Sequence, residues 1–133
     1  MGRPVEFVDV AAGVEQFGPL ATMVTVTADG TPHVGSVLVT AADDRLHVRI
    51  GPRTCENVRA HAMVTLVWVD AVLGYQLIVD GVASTDPAPE ADGLHPMVIV
   101  AERGILHRLA GRDDAGPTCL PLPERPGRQP ISG

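Results

Sequence analysis

The stretch from Ala21 to Asn57 constrains the fold more than any other. Ala21 to Thr27 and Pro32 to Thr40 are rich in Val and Thr, and the residues between them include Asp29-Gly30. An Asp-Gly pair between two such runs is a strong hairpin signal, because Gly reaches positive φ without steric cost. A second turn at Ala41 to Asp44 returns the chain into Arg45 to Ile50, where Leu46, Val48 and Ile50 alternate with Arg45, His47 and Arg49. A period of two places the aliphatic set on one face of a strand and the basic set on the other.

Further runs extend the pattern. Met63 to Val69 is apolar on both faces, as expected of a strand that is either central or lies between a core and a partner subunit. Tyr75 to Thr85 reads as the next strand, with Gly81 where a bulge or a close backbone approach belongs. Met97 to Ala101 and Ile105 to Leu109, separated by Glu102-Arg103-Gly104, form either a closing hairpin or one kinked strand. Two helices interrupt the strands. Asp9 is the expected N-cap of a helix ending at Phe17, with Gly18 and Pro19 as its stop, and Thr54 the expected cap of a short helix over Cys55 to His61. A short edge strand is expected at Val5 to Val8.

Composition sharpens the picture. At 133 residues the chain is long enough for one domain that buries its own core. Hydrophobic residues make up 45% but aromatics only 3%, so the core is built from aliphatic side chains, which favour strands. The segment from Gly111 contains five prolines, and the expected organisation is a domain over 1–110 followed by a tail over 111–133, disordered or draped over a partner. The fold class expected is mainly β, a small antiparallel barrel or sandwich with one helix before the sheet and one inserted after the third strand.

The same numbers exclude several functions. A net charge of −6 argues against sequence-independent nucleic-acid binding. All ten basic residues are Arg, so Schiff-base chemistry on a lysine is ruled out. No window approaches the roughly 20 apolar residues of a membrane span, and no leader-like start is seen. Two cysteines, Cys55 and Cys119, read as unpaired thiols, and the expected location is the cytoplasm. His61 and His95 have no metal-ligand spacing with either cysteine, so no zinc site is expected.

One cluster carries chemistry. Arg45, Arg49, Arg53 and Arg59 put four of the ten arginines into fifteen residues. Arg49 lies near a strand end, Arg53 in a glycine-containing loop and Thr54 at a helix start, with Asn57 one turn in. Guanidinium forks, a hydroxyl and outward-pointing amides suit a phosphate. The alternative on the same residues is a solvated strand edge followed by an ordinary helix.

Four motifs in order, FGPLATMVTVTADGTPHVGSV, LHVRIGPRTCENV, VTLVWV and GYQLIVDGVAS, covering about Phe17 to Ala83, resemble the pyridoxamine 5'-phosphate oxidase-like, FMN-binding split-barrel superfamily, and especially its small actinobacterial members. The resemblance implies a six-stranded antiparallel split barrel that forms a homodimer and holds FMN, or a deazaflavin coenzyme, at the dimer interface; haem is the less expected alternative. It implies a phosphate site at Arg49, Arg53, Thr54 and Asn57, and a ring along the second strand near His33, Ser36 and Val37. Two departures stand out: Thr54 occupies a place where many relatives carry lysine, and the C-terminal segment of true pyridoxamine phosphate oxidases is missing, which argues against vitamin B6 phosphate as substrate. The implied activity is flavin- or deazaflavin-dependent oxidoreduction of an unidentified small molecule, with a non-catalytic carrier or dimeric scaffold as the alternative; no catalytic residue is assigned. Trp68 and Tyr75 are read as packing residues, Cys55 as a weak nucleophile candidate without a base, and His107 and Arg108 as minor ligand candidates.

Overall fold

A computed structural model describes residues 3–122. Its elements run β1 (Arg3–Pro4), α1 (Phe7–Phe17), β2 (Leu20–Val26), β3 (Pro32–Leu38), β4 (Thr40–Ala42), β5 (Arg45–Ile50), α2 (Pro52–Ala60), β6 (Met63–Asp70), β7 (Tyr75–Thr85), β8 (His95–Arg108) and β9 (Cys119–Leu120). The strands form one antiparallel sheet in the order β3-β2-β6-β7-β8-β5-β4, with β1 and β9 both on β8. Only Val39 separates β3 from β4, and its amide donates to the carbonyl of Pro19 at 2.8 Å. The bent β3–β4 segment therefore supplies both ends of the sheet order, so the sheet curls into a split barrel of six long strands.

Local chemistry explains the turns. In the β2–β3 hairpin the Thr27 amide pairs with the Thr31 carbonyl at 2.9 Å, and Gly30 closes the turn at φ 90°. Three loop residues with a glycine in the left-handed region form a common hairpin closure. The Thr27 hydroxyl bonds Asp29 and holds its carboxyl below the ordinary range. Between β4 and β5, Asp43 and Asp44 take φ 54° and 61°, the double positive φ of a two-residue primed turn.

Register divides the sheet into two faces. On β2 and β3 the pairs Ala21–Val37, Met23–Gly35 and Thr25–His33 face inward, and Leu20–Leu38, Thr22–Ser36 and Val24–Val34 face outward. Inside lies the aliphatic core, in which Leu46, Leu66, Leu77, Val79 and Ile99 are fully buried. Val10 and Val14 of α1 join it. Trp68 and Tyr75 are both 1% exposed, core residues as their sequence context suggests.

Several expected boundaries change. The N-cap of α1 is Glu6, not Asp9, which sits in the first turn beside the positive end of the helix dipole. The edge strand lies at Arg3–Pro4, before Val5, because α1 starts at Phe7. Gly18 ends α1 as expected, at φ 93°. The second helix begins three residues early: Gly51 is extended at its N-cap and Pro52, whose ring fixes a helical φ, takes the first position. Thr54 is thus inside the helix and caps nothing, and Arg53 is a helical residue, not a loop residue.

The last strand is the kinked alternative. Residues 95–108 form one strand, kept continuous through Arg103 and Gly104 by pairing with β7 on one side and β1 on the other. Its register with β7 shifts between Asp80 and Gly81. A Cβ on Gly81 would lie 2.6 Å from Ile99 Cγ2 and from the Val100 carbonyl oxygen, so the bulge needs glycine.

The proline-rich segment starts against the barrel. Tyr75 Oη donates to the Pro117 carbonyl at 2.6 Å, Arg108 donates to the Gly116 carbonyl at 2.8 Å, and Leu120 and Leu122 pack on the core. The rest of the expected tail, residues 123–133, lies outside the described residues.

Candidate functional site

The candidate site forms where β5 passes through Gly51 into α2. Arg49, Arg53 and Thr54 fall within one short stretch of chain there. On β5, Leu46, Val48 and Ile50 are buried, so alternation turns Arg45, His47 and Arg49 outward. Because Pro52 has no amide hydrogen and the Cys55 amide makes the first intrahelical bond, to Gly51 at 3.0 Å, the amides of Arg53 and Thr54 have no helical acceptor. Arg53 is exposed and makes no ion pair among the described residues, and Thr54 is half-buried. A guanidinium, two unbonded amides and a hydroxyl are chemically suited to a phosphate.

Arg49 differs from Arg53. Its Nη2 lies 2.7 Å from Asp92 Oδ2 and 3.3 Å from Glu90 Oε1, both in the connection between β7 and β8. The amide of Leu94, and then Arg49, hold the Asp92 carboxyl below the ordinary carboxylate range.

The remaining sequence candidates divide by face. Asn57 is buried and its Nδ2 donates to Thr25 Oγ1 at 3.1 Å, fixing α2 to β2. Val37 is a core side chain. His33 is half-buried on the inner face opposite Thr25, whereas Ser36 is exposed on the outer face opposite Thr22. These two side chains therefore lie on opposite faces of β3.

The minor candidates have structural roles. His107 Nδ1 is 2.8 Å from the carbonyl oxygen of Arg108, and Arg108 binds Gly116 and pairs with Asp113 at 3.3 Å. Cys55 is buried with its Sγ 3.8 Å from Thr85 Oγ1; Cys119 is exposed, and both are free thiols. Among the described residues no group of three His, Cys, Asp or Glu is placed to hold a metal ion, and no helix is long and apolar enough to cross a membrane.

Glu90 and Asp92 are the functional candidates that sequence reading misses. They sit in a stretch, Asp86 to Pro96, that reads as a plain surface connection. The available signal is three acids in that stretch with no local cation, but their partner is set by topology: β8 pairs with β5, with Pro96 opposite Arg49.

No family model and no curated protein matches this chain. Solved structures do. A pyridoxamine 5'-phosphate oxidase-related, FMN-binding protein from Nostoc punctiforme aligns with TM-score 0.61 at 9% identity, over 77% of this chain and 83% of that one. HutZ, a haem storage protein from Vibrio cholerae, aligns with TM-score 0.58 at 16% identity, over 73% and 92%. An F420 reductase aligns with TM-score 0.55 at 16% identity, over 64% and 87%. At these identities the likeness concerns the backbone, and it establishes that the chain has the fold of the pyridoxamine 5'-phosphate oxidase-like, FMN-binding split barrels.

Proposed function

We propose that this chain is a homodimeric flavoprotein that holds FMN, or a deazaflavin coenzyme, by its phosphate at the start of α2 and uses it in oxidoreduction of a small molecule. The observation that carries the reading is the first turn of α2: Arg53 without an ion-pair partner and two amides without acceptors among the described residues, in a fold shared with an FMN-binding protein and an F420 reductase.

Arg53, the Arg53 and Thr54 amides and the Thr54 hydroxyl would hold the phosphate, with Arg49 as the second cation. Asn57 acts indirectly, by fixing the angle of α2 through Thr25. The flavin supplies the hydride chemistry, and the protein's part is orientation and exclusion of water. His33 and Ser36, on opposite faces of β3, present two surfaces to a ring, one on the inner and one on the outer sheet face.

The second subunit is assigned to that outer face. Leu20, Leu38, Val34 and Val69 are each more than 60% exposed there, with Val24, Val67 and Ile78 between them. Contiguous exposed aliphatics of this kind mark a protein interface.

Titration with FMN and with the deazaflavin coenzyme, followed by ligand fluorescence, tests the proposal. Wild-type protein is expected to bind one of them, and Arg53→Ala to weaken binding by about tenfold or more, the loss of a charge-assisted contact. Binding unaffected by Arg53→Ala would remove the α2 site. A second reading, a non-catalytic haem or flavin carrier, is favoured by the fold shared with HutZ. Turnover of the bound flavin by a reduced nicotinamide would exclude it.

A further inference from the structure

The connection between β7 and β8 is built as an ordered turn. The Glu90 amide donates to the Leu94 carbonyl at 2.8 Å and the Gly93 amide to the Glu90 carbonyl at 2.9 Å. Gly93 takes φ 82°. Asp92 Oδ1 accepts the Leu94 amide at 3.0 Å, which leaves Oδ2 aimed at Arg49. At its base, Thr85 Oγ1 donates to the Pro96 carbonyl at 3.0 Å and His95 Nδ1 lies 3.0 Å from the Asp86 carbonyl oxygen. The Asp92 carboxylate is thereby oriented toward Arg49, and the turn places the Glu90 carboxylate within reach of the same guanidinium.

The charge balance is unusual for a phosphate site. Around Arg49 one positive charge faces two negative ones, so the cluster is net negative, and adding Arg53 only brings it to neutrality. A phosphate dianion arriving beside Arg49 meets repulsion until Glu90 and Asp92 move away. All three side chains are about half exposed. Exposed ion pairs are individually weak. A competing anion can therefore open this contact.

We propose that Glu90 and Asp92 are an acidic latch on the anion site: with no ligand bound they occupy the Arg49 guanidinium, and a phosphate-bearing cofactor enters by displacing them and freeing the 86–94 loop. The proposal rests on the phosphate-site reading of α2. It makes the loop, and not the Arg cluster alone, the determinant of which anions are admitted.

The test uses the full chain and the paired variant Glu90→Gln with Asp92→Asn. Asn keeps the acceptor for the Leu94 amide and removes only the charge. Two probes are titrated, FMN and riboflavin, which shares the ring but has no phosphate. Amide hydrogen exchange over residues 88–94 is read in the absence of ligand.

The latch predicts about tenfold tighter FMN binding by the paired variant, no change for riboflavin, and faster loop exchange. Arg49→Gln should free the same amides while weakening FMN. FMN affinity that is equal or lower in the paired variant, with wild type binding FMN, overturns the latch and leaves the flavin site standing. Equal tightening of FMN and riboflavin also overturns it, because the effect would then not act on the phosphate. If neither protein binds FMN, nor the deazaflavin coenzyme titrated in its place, the cofactor reading has failed, and the latch falls with it.

Discussion

The two faces of the sheet are made of the same kinds of residue and end in opposite situations. On β6, Val64, Leu66 and Trp68 point inward and are at most 3% exposed, while Met63 and Val69, on alternate positions of the same strand, are 49% and 61% exposed. Aliphatic content alone therefore does not distinguish core from surface here. The inner face is closed by α1, by the curl of the sheet and by the 115–122 segment; among the described residues nothing lies over the exposed aliphatics of the outer face. The inner face thus defines the fold, and the outer face is where a second polypeptide is expected.

The largest test of this difference is Leu66→Ala. Leu66 is fully buried, and removing its side chain should cost about 2–5 kcal/mol, with the spread set by how far the cavity collapses. Trp68 is the chain's only tryptophan and its inward neighbour, so denaturant unfolding followed by its fluorescence reads the loss directly. A loss below 1 kcal/mol would mean that the inner face is not the stabilising core.

A smaller effect is expected at the Asn57–Thr25 contact, which ties α2 to the inner face. Asn57→Ala removes the donor to Thr25 Oγ1, whose residue is 1% exposed, and should cost about 1–3 kcal/mol. It should also weaken FMN, through the altered angle of α2. Asn57→Asp, which keeps the shape and replaces the donor by a charge, should be at least as damaging. If both variants keep full stability and lose FMN alone, Asn57 touches the ligand and is not a positioning residue.

Much of the inner face is legible in the sequence, and the reasons lie in particular residues. Alternation over Arg45–Ile50, the Asp29-Gly30 turn and Gly81 are local signals, and each appears where its local chemistry requires. Helix starts are less legible. Asp9 and Thr54 are good caps by type, yet Glu6 and Gly51 hold those places; in α2, Pro52 at the first helical position fixes φ without a capping side chain. The candidate site is legible only in its basic half. Arg49, Arg53 and Thr54 are neighbours in sequence; Glu90 and Asp92 reach Arg49 from about forty residues away through the β5–β8 pairing, which no local pattern encodes. The division of His33 from Ser36 was available from the period of two and is confirmed by register.

Val69→Asp carries the smallest expected change in the isolated fold and the sharpest one in assembly. Val69 is 61% exposed, so a carboxylate there remains hydrated and the monomer should lose no more than about 0.5 kcal/mol. If a second copy covers the outer face, the same carboxylate is buried against aliphatic side chains without a partner, and the dimer should dissociate. Sedimentation at micromolar concentration is expected to show a dimer for wild type and a monomer for Val69→Asp, with unchanged Trp68 fluorescence in both. A monomeric wild type would leave the outer face without its assigned partner and would take away the shared cleft, so that the flavin ring could be held only on the His33 side of β3.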